Sequence, residues 1–152
     1  IDYLQIDVPS AVLKLFDTIR NGYVAEFGTA IWFQPNDVNL TIFPVKNTSV
    51  ADVHRYAKQY ESGAIDIYYH SDCVDFVPKG FDKGTAIEAL LEKLDYDKQD
   101  LYVFGDGDND RSMLVKTDNS VVVNNKAMNA MIHVNGYSEL ANYLKETFEM
   151  YP

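Results

Sequence analysis

The chain has 152 residues, 47% of them hydrophobic and 24% charged, enough to build a real core in one domain or two small ones. Against 13 basic residues stand 23 acidic ones, a net charge of −10, which argues against nucleic acid or an anionic membrane surface as partner because both are held through Lys and Arg. No apolar run approaches the ~20 residues of a membrane span, no leader-type segment opens the chain, and the single cysteine, Cys73, cannot form an internal disulfide, so a reducing cytoplasm is the expected compartment.

The chain opens Ile1-Asp-Tyr-Leu without a Met, as a segment taken from a longer protein would. From Pro9 to Arg20 the apolar positions Val12, Leu13, Leu15, Phe16 and Ile19 predict a helix, capped by Ser10 and ended by Gly22. Tyr23–Phe33 and Val38–Val45, rich in β-branched and aromatic residues, read as strands joined by the turn Gln34-Pro-Asn-Asp37. A second helix is expected over Val50–Tyr60 after Thr48 or Ser49, then strands over Ala64–His70 and Cys73–Val77. The order αββαββ describes a small sheet with helices on one side.

After Pro78 helix and strand alternate. Ile87, Leu90, Leu91 and Leu94 form a helical stripe starting at Lys83 or Gly84. Leu101–Phe104 and Ser120–Val123 are continuous apolar runs of the kind buried parallel strands show. Between them lie an acidic loop and a short helix through Leu114 and Val115. A turn and short helix over Asn124–Met131, a strand over Ile132–Val134 and a terminal helix over Ser138–Met150 complete the pattern. This is the alternation of an α/β parallel sheet, and Pro78 and Gly80 place the boundary so that residues 1–78 form an α+β unit and 79–152 an α/β unit.

The loop Gly105-Asp-Gly-Asp-Asn-Asp110 stacks three aspartates beyond the carboxyl end of an apolar strand, where ligands of open α/β sheets gather. Crowded carboxylates repel and are costly to desolvate. A hard divalent cation, Mg²⁺ above all, accounts for them, since it takes oxygen ligands from one or two carboxylates plus water and phosphate. A calcium loop of the EF-hand type would need Gly where Arg111 stands and Glu where Thr117 stands. A dinucleotide fingerprint would need Gly at Asp110. Helix capping explains one acid, Asp110, and not three.

Upstream, Pro78-Lys-Gly-Phe-Asp-Lys-Gly-Thr-Ala86 puts Lys83 where a helix starts. Backbone N–H groups there favour anions, whereas a cation at that end lies against the helix dipole. By itself Lys83 reads as a solvated surface residue; paired with the acidic loop it reads as the cation that faces a metal across a phosphate.

These two stretches resemble the third and fourth motifs of the haloacid dehalogenase superfamily, closest to its capped branch of Cof-type, trehalose-phosphate and sucrose-phosphate phosphatases. Val121-Val-Val-Asn-Asn125 is similar to the strand and Asn that follow in that branch, and the αββαββ half is similar in element order to its class-II cap. The resemblance implies a Rossmannoid parallel sheet with a cap that closes over the site. It further implies that Lys83 pairs with the transferring phosphoryl group, that Asp106 and Asp110 hold Mg²⁺ directly or through water, that Asn109 and Asn125 support the site, and that Gly105 and Gly107 let the backbone turn closely. Tyr68, His70 and Asp72, near a cap loop, are candidate substrate contacts. The expected reaction is hydrolysis of a phosphate monoester, on a sugar or similar small metabolite, through an aspartyl-phosphate; a non-catalytic metal-binding or regulatory domain and a phosphomutase are the alternatives.

One family feature is not found. The nucleophile belongs to an Asp-x-Asp pair after the first strand, and the nearest stretch, Leu4-Gln-Ile-Asp-Val-Pro-Ser10, offers Asp7 but puts Pro9 in the place of the second Asp. The simpler account is a cap plus the C-terminal half of a core. The sheet of residues 101–134 should then expose an apolar edge, covered by the absent half or a second copy. His54 and His133 read as surface or core residues without partners at zinc spacing, and Cys73 as a small buried hydrophobe.

Overall fold

The computed structural model describes residues 7–148, which form two compact units, one through Phe81 and one from Asp82. No helix among them is long and apolar enough to cross a membrane.

The first unit runs α1 (Ser10–Phe27), β1 (Ile31–Phe33), β2 (Leu40–Pro44), α2 (Val50–Ala57), β3 (Ile65–Tyr69), β4 (Val74–Pro78). Its strands make one antiparallel sheet in the order β1-β2-β4-β3. Val12, Phe16, Ile19 and Tyr23 of α1, Val53 and Ala57 of α2, and Leu40, Ile42, Ile65, Val74 and Phe76 of the sheet share one core. The core is locked by the Tyr23 hydroxyl, which donates to the Val53 carbonyl at 2.7 Å. Burial pushes that phenol well above its usual range. Ser49 caps α2 as expected, accepting from Asp52 N.

Three expectations for this unit are corrected. The first helix does not stop at Gly22. It runs to Phe27 and ends at Gly28, whose φ of 56° is the left-handed turn that glycine tolerates. Tyr23 continues the buried stripe of Val12, Phe16 and Ile19 at helical spacing, and a side chain at Gly22 would meet the Tyr60 hydroxyl 2.0 Å away. Gly22 is therefore a packing residue. The strand read as Tyr23–Phe33 shrinks accordingly to β1. Ser10 is the first helical residue, and the cap is Pro9, whose carbonyl accepts from Val12 and Leu13.

The second unit runs α3 (Lys83–Leu94), β5 (Val103–Gly105), α4 (Arg111–Leu114), β6 (Ser120–Val123), β7 (Ile132–Val134), α5 (Tyr137–Phe148). Its strands are parallel, in the order β5-β6-β7. Val103, Leu114, Val122 and Met128 form a core on one side, and Val121, Val123 and Val134 one on the other, against which Leu140 and Tyr143 of α5 pack. An α/β fold with a parallel sheet and a small antiparallel cap-like sheet is thus present.

Three expectations change here. No helix forms between β6 and β7: Asn124 takes a φ of 58° and both polar ends of the Asn125 side chain are engaged, which holds the chain in a turn, while Met128 is buried beneath it. The α3 stripe is only partly covered, because Ile87 packs on the core whereas Leu90 and Leu94 are 44% and 49% exposed. Among the described residues no strand pairs with the outer edge of β5. What that edge leaves open is backbone: Val103 and Gly105 are buried, and Phe104 packs towards Tyr143. The expected end of α5 at Met150 lies outside the described residues.

Candidate active site

The second unit builds a polar site where β5 ends. Asp82 caps α3 in a reciprocal box: its carboxylate accepts from Thr85 N at 3.0 Å while Thr85 Oγ1 accepts from Asp82 N at 3.1 Å. The next two residues fix where α3 sits. Gly84 N donates to Ser112 Oγ at 3.1 Å, and a Cβ on Gly84 would lie 2.4 Å from the Ser112 carbonyl. Only glycine lets α3 and α4 approach this closely, and that approach brings Lys83 onto the acidic loop.

Lys83 Nζ pairs with Asp110 Oδ1. The lysine side chain is 51% exposed and the aspartate 4%. The other carboxylate oxygen, Oδ2, accepts from the backbone N–H of Asp106 at 2.9 Å and of Gly107 at 3.1 Å. Burial raises the Asp110 carboxyl, but the Lys83 hydrogen bond and the two N–H donors outweigh it and hold the group below the usual carboxylate range. Asp110 is thus a buried anion that ties the loop to the lysine. Gly105 makes room for it, since a Cβ there would lie 2.6 Å from Asp110 Cβ.

The other loop residues divide by environment. Asp106 is exposed, and its carboxylate has no hydrogen bond or ion pair among the described residues. Asp108 turns away to Arg111, which contacts it through Nε and Nη2 at 2.8 Å. Asn109 sits half-buried with its Oδ1 beside Gly107. Asn125 reaches in from the end of β6, donating to the Asp106 carbonyl at 2.9 Å. Lys83, Asp106, Asp110, Asn109 and Asn125 therefore share one loop region. Gly84 and Ser112, which bring the helices together, went unread in the sequence; the Lys-Gly-Thr run was the available signal for a close helix approach.

Asp7 is an exposed residue of the segment leading into α1, in the first unit, and the residues before it lie outside the described ones. Tyr68, His70 and Asp72 belong to the β3–β4 hairpin of that unit, with Tyr68 opposite Asp75. His54 Nε2 donates to the Cys73 carbonyl at 2.8 Å, and His133 Nε2 to the Met128 carbonyl at 2.9 Å. Cys73 is buried, and burial together with the nearby Asp75 and Asp72 carboxylates pushes its thiol up to about 12.

A family model of haloacid dehalogenase-like hydrolases matches residues 27–142. An HMP-PP phosphatase of Yersinia pseudotuberculosis is 32% identical over 84 residues, 55% of this chain and 31% of that protein, and its Yersinia pestis counterpart is 30% identical over the same span. The match thus spans about a third of the length of those relatives. Among solved structures, a Thermotoga maritima protein superposes with a TM-score of 0.61 at 17% identity, over 95% of this chain and 68% of that one. The sucrose-phosphatase of Synechocystis, in complex with sucrose and phosphate, gives 0.60 at 13% identity over 90% and 64%. A trehalose-6-phosphate phosphatase related protein gives 0.57 at 18% over 90% and 60%. These structures share the fold, and the family match covers most of the sequence: the chain belongs to the haloacid dehalogenase-like hydrolases.

Proposed function

We propose that this chain is the metal- and phosphate-holding part of a magnesium-dependent phosphomonoesterase that acts on a small phosphorylated metabolite. The observation that carries the reading is the Lys83–Asp110 pair set beside the unpartnered carboxylate of Asp106.

The donor set suits Mg²⁺. Asp106 offers a free, solvent-facing carboxylate for direct ligation. Asp110 has about four acceptor positions, of which Lys83 and two N–H groups take three, so one remains for a water on the metal. When bound, the ion supplies positive charge against the phosphoryl oxygens. Lys83 keeps two of its three N–H donors beyond Asp110 and directs them at the same phosphoryl group. Asn125 holds the Asp106 backbone in place, and Asn109 supports the turn.

The carboxylate nucleophile comes, in this reading, from a strand that pairs with the open edge of β5, outside the described residues. Its attack on phosphorus breaks the ester P–O bond and releases the substrate alcohol, leaving an aspartyl-phosphate that water hydrolyses to free carboxylate and inorganic phosphate. The names of the relatives and the sugar-phosphate enzymes among the fold neighbours support a small phosphate ester as substrate. The decisive experiment measures Mg²⁺-dependent hydrolysis of an aryl phosphate by the full-length gene product, wild type and Lys83→Ala. Loss of turnover by orders of magnitude in the variant supports the reading; equal turnover ends it.

A further inference from the structure

The β3–β4 hairpin gathers a second cluster, chemically unlike the acidic loop. His70 and Cys73 flank the two-residue turn Ser71-Asp72, joined by the bond from His70 N to the Cys73 carbonyl at 3.0 Å. Directly opposed residues point to the same face of a sheet, and so do residues two apart. His70, Cys73 and Asp75 therefore share one face, the one turned away from the core residues Val74 and Phe76. One donor atom from each of the three lies within 4.8 Å of the others.

We infer that His70, Cys73 and Asp75 form a binding site for a borderline-soft divalent cation, Zn²⁺ in the first instance, with a fourth position left to solvent. Three features of the cluster carry this. The donors are an imidazole, a thiol and a carboxylate, a set that favours zinc over magnesium. The spacing is within reach of coordination: His70 Nε2 and Asp75 Oδ2, hydrogen-bonded at 3.1 Å, stand near the ~3.5 Å between ligand atoms of a tetrahedral zinc with bonds of 2.0–2.3 Å, and the Cys73 sulfur lies within 4.8 Å of both residues' ligand atoms. Finally, Asp75 Oδ1 is buried and has no hydrogen-bond partner among the described residues. A buried carboxylate oxygen left unpaired is costly, and the positive charge of a cation bound to the same carboxylate offsets part of that cost.

On coordination the Cys73 thiol gives its proton to solvent and the sulfur lone pair binds the metal, with no change of oxidation state. The His54 ring, donating to the Cys73 carbonyl, fixes the backbone that presents the sulfur. The hairpin is locally closed, so binding cross-links β3 to β4 next to the turn. The site lies within the first unit and does not depend on the chemistry assigned to Asp106.

The test uses the whole chain, stripped with a chelator and titrated with Co²⁺ in the presence of excess Mg²⁺ to occupy oxygen-only sites. A single equivalent should raise a thiolate-to-cobalt charge-transfer band with visible bands of tetrahedral intensity, all bleached by one equivalent of Zn²⁺. Cys73→Ser should lose the charge-transfer band, and His70→Ala should weaken Co²⁺ binding by at least about tenfold, with circular dichroism confirming that both remain folded. Absence of the band in the wild type, its persistence in Cys73→Ser, or unchanged affinity in His70→Ala would each overturn the assignment.

Discussion

Lys83 and Asp110 face each other across the start of α3 and the acidic loop, the lysine half in water and the aspartate almost wholly out of it. The asymmetry separates their roles. The buried partner depends on the pair for its charge, whereas the exposed one retains hydrogen-bonding capacity for something else. Asp110 thereby serves the fold as well as the site, because it also satisfies the N–H groups of Asp106 and Gly107.

The first prediction concerns acid stability. The Asp110 carboxyl is held below its ordinary 3.8 in the fold, so near that pH the unfolded chain binds more protons than the folded one. Its contribution is complete above the unfolded pKa and is lost as pH falls through the folded value. Between about pH 5 and pH 3 the wild type should lose stability more steeply than Asp110→Asn. Asp82, lowered by its Thr85 hydrogen bond against the effect of burial, leaves a residual slope in the variant. Thermal melts across this range decide it, and parallel acid limbs would count against a structural role for the Asp110 charge.

Gly105→Ala should damage the loop without removing any charge. The added methyl lies 2.6 Å from Asp110 Cβ, so the aspartate or the strand end must shift. Overpacking of this kind costs about 1–3 kcal/mol, and the displacement should loosen the Lys83 pair. Urea unfolding combined with Mg²⁺ titration should show both stability and metal affinity reduced. A variant matching wild type in both would mean that the loop yields freely.

The element order was legible in the sequence because it rests on periodicity and on capping: α2 after Thr48 or Ser49, α3 from the stripe of Ile87, Leu90, Leu91 and Leu94, and the apolar runs of β5 and β6. Where composition and periodicity disagreed, composition misled. Tyr23 and Phe27 look like strand residues, yet they complete a helical stripe begun at Val12, and tertiary burial overrides a weak propensity. The acidic loop was visible as a cluster, but its division of labour was not. The 3₁₀ turn over Asp108–Asp110 decides which aspartate is buried, which pairs with Arg111 and which stays free. The His70, Cys73 and Asp75 grouping matches no zinc spacing template, because hairpin register, rather than helix spacing, brings it together.

In the first unit, Tyr23→Phe isolates one hydrogen bond. The hydroxyl donates to the Val53 carbonyl at 2.7 Å inside the core and links α1 to α2. Removing it leaves a buried carbonyl without this donor, at a cost of about 1–3 kcal/mol, while the ring contacts with Phe27, Tyr56 and Phe76 persist. Chemical denaturation followed by the single tryptophan, Trp32, reports on this unit. A midpoint unchanged from wild type would show that water or a neighbouring donor replaces the hydroxyl.

The last prediction is that the 152-residue chain alone does not hydrolyse phosphate esters, although it binds Mg²⁺. Lys83, Asp106 and Asp110 can hold charge and metal, but Asp110 is enclosed by its own hydrogen bonds, Asp106 is assigned to the ion, and Asp108 is paired with Arg111. No carboxylate of the loop is left to accept the phosphoryl group, and removing one member of a set that acts together removes most of the effect. Isothermal titration should therefore detect Mg²⁺ binding that is weakened at least about tenfold in Asp106→Asn, while an aryl phosphate assay on the same sample stays at background. Adding a segment that carries an Asp-x-Asp strand should restore turnover by pairing with β5. Steady hydrolysis by the chain alone, abolished by Asp7→Asn, would instead make Asp7 the nucleophile and remove the need for any added strand.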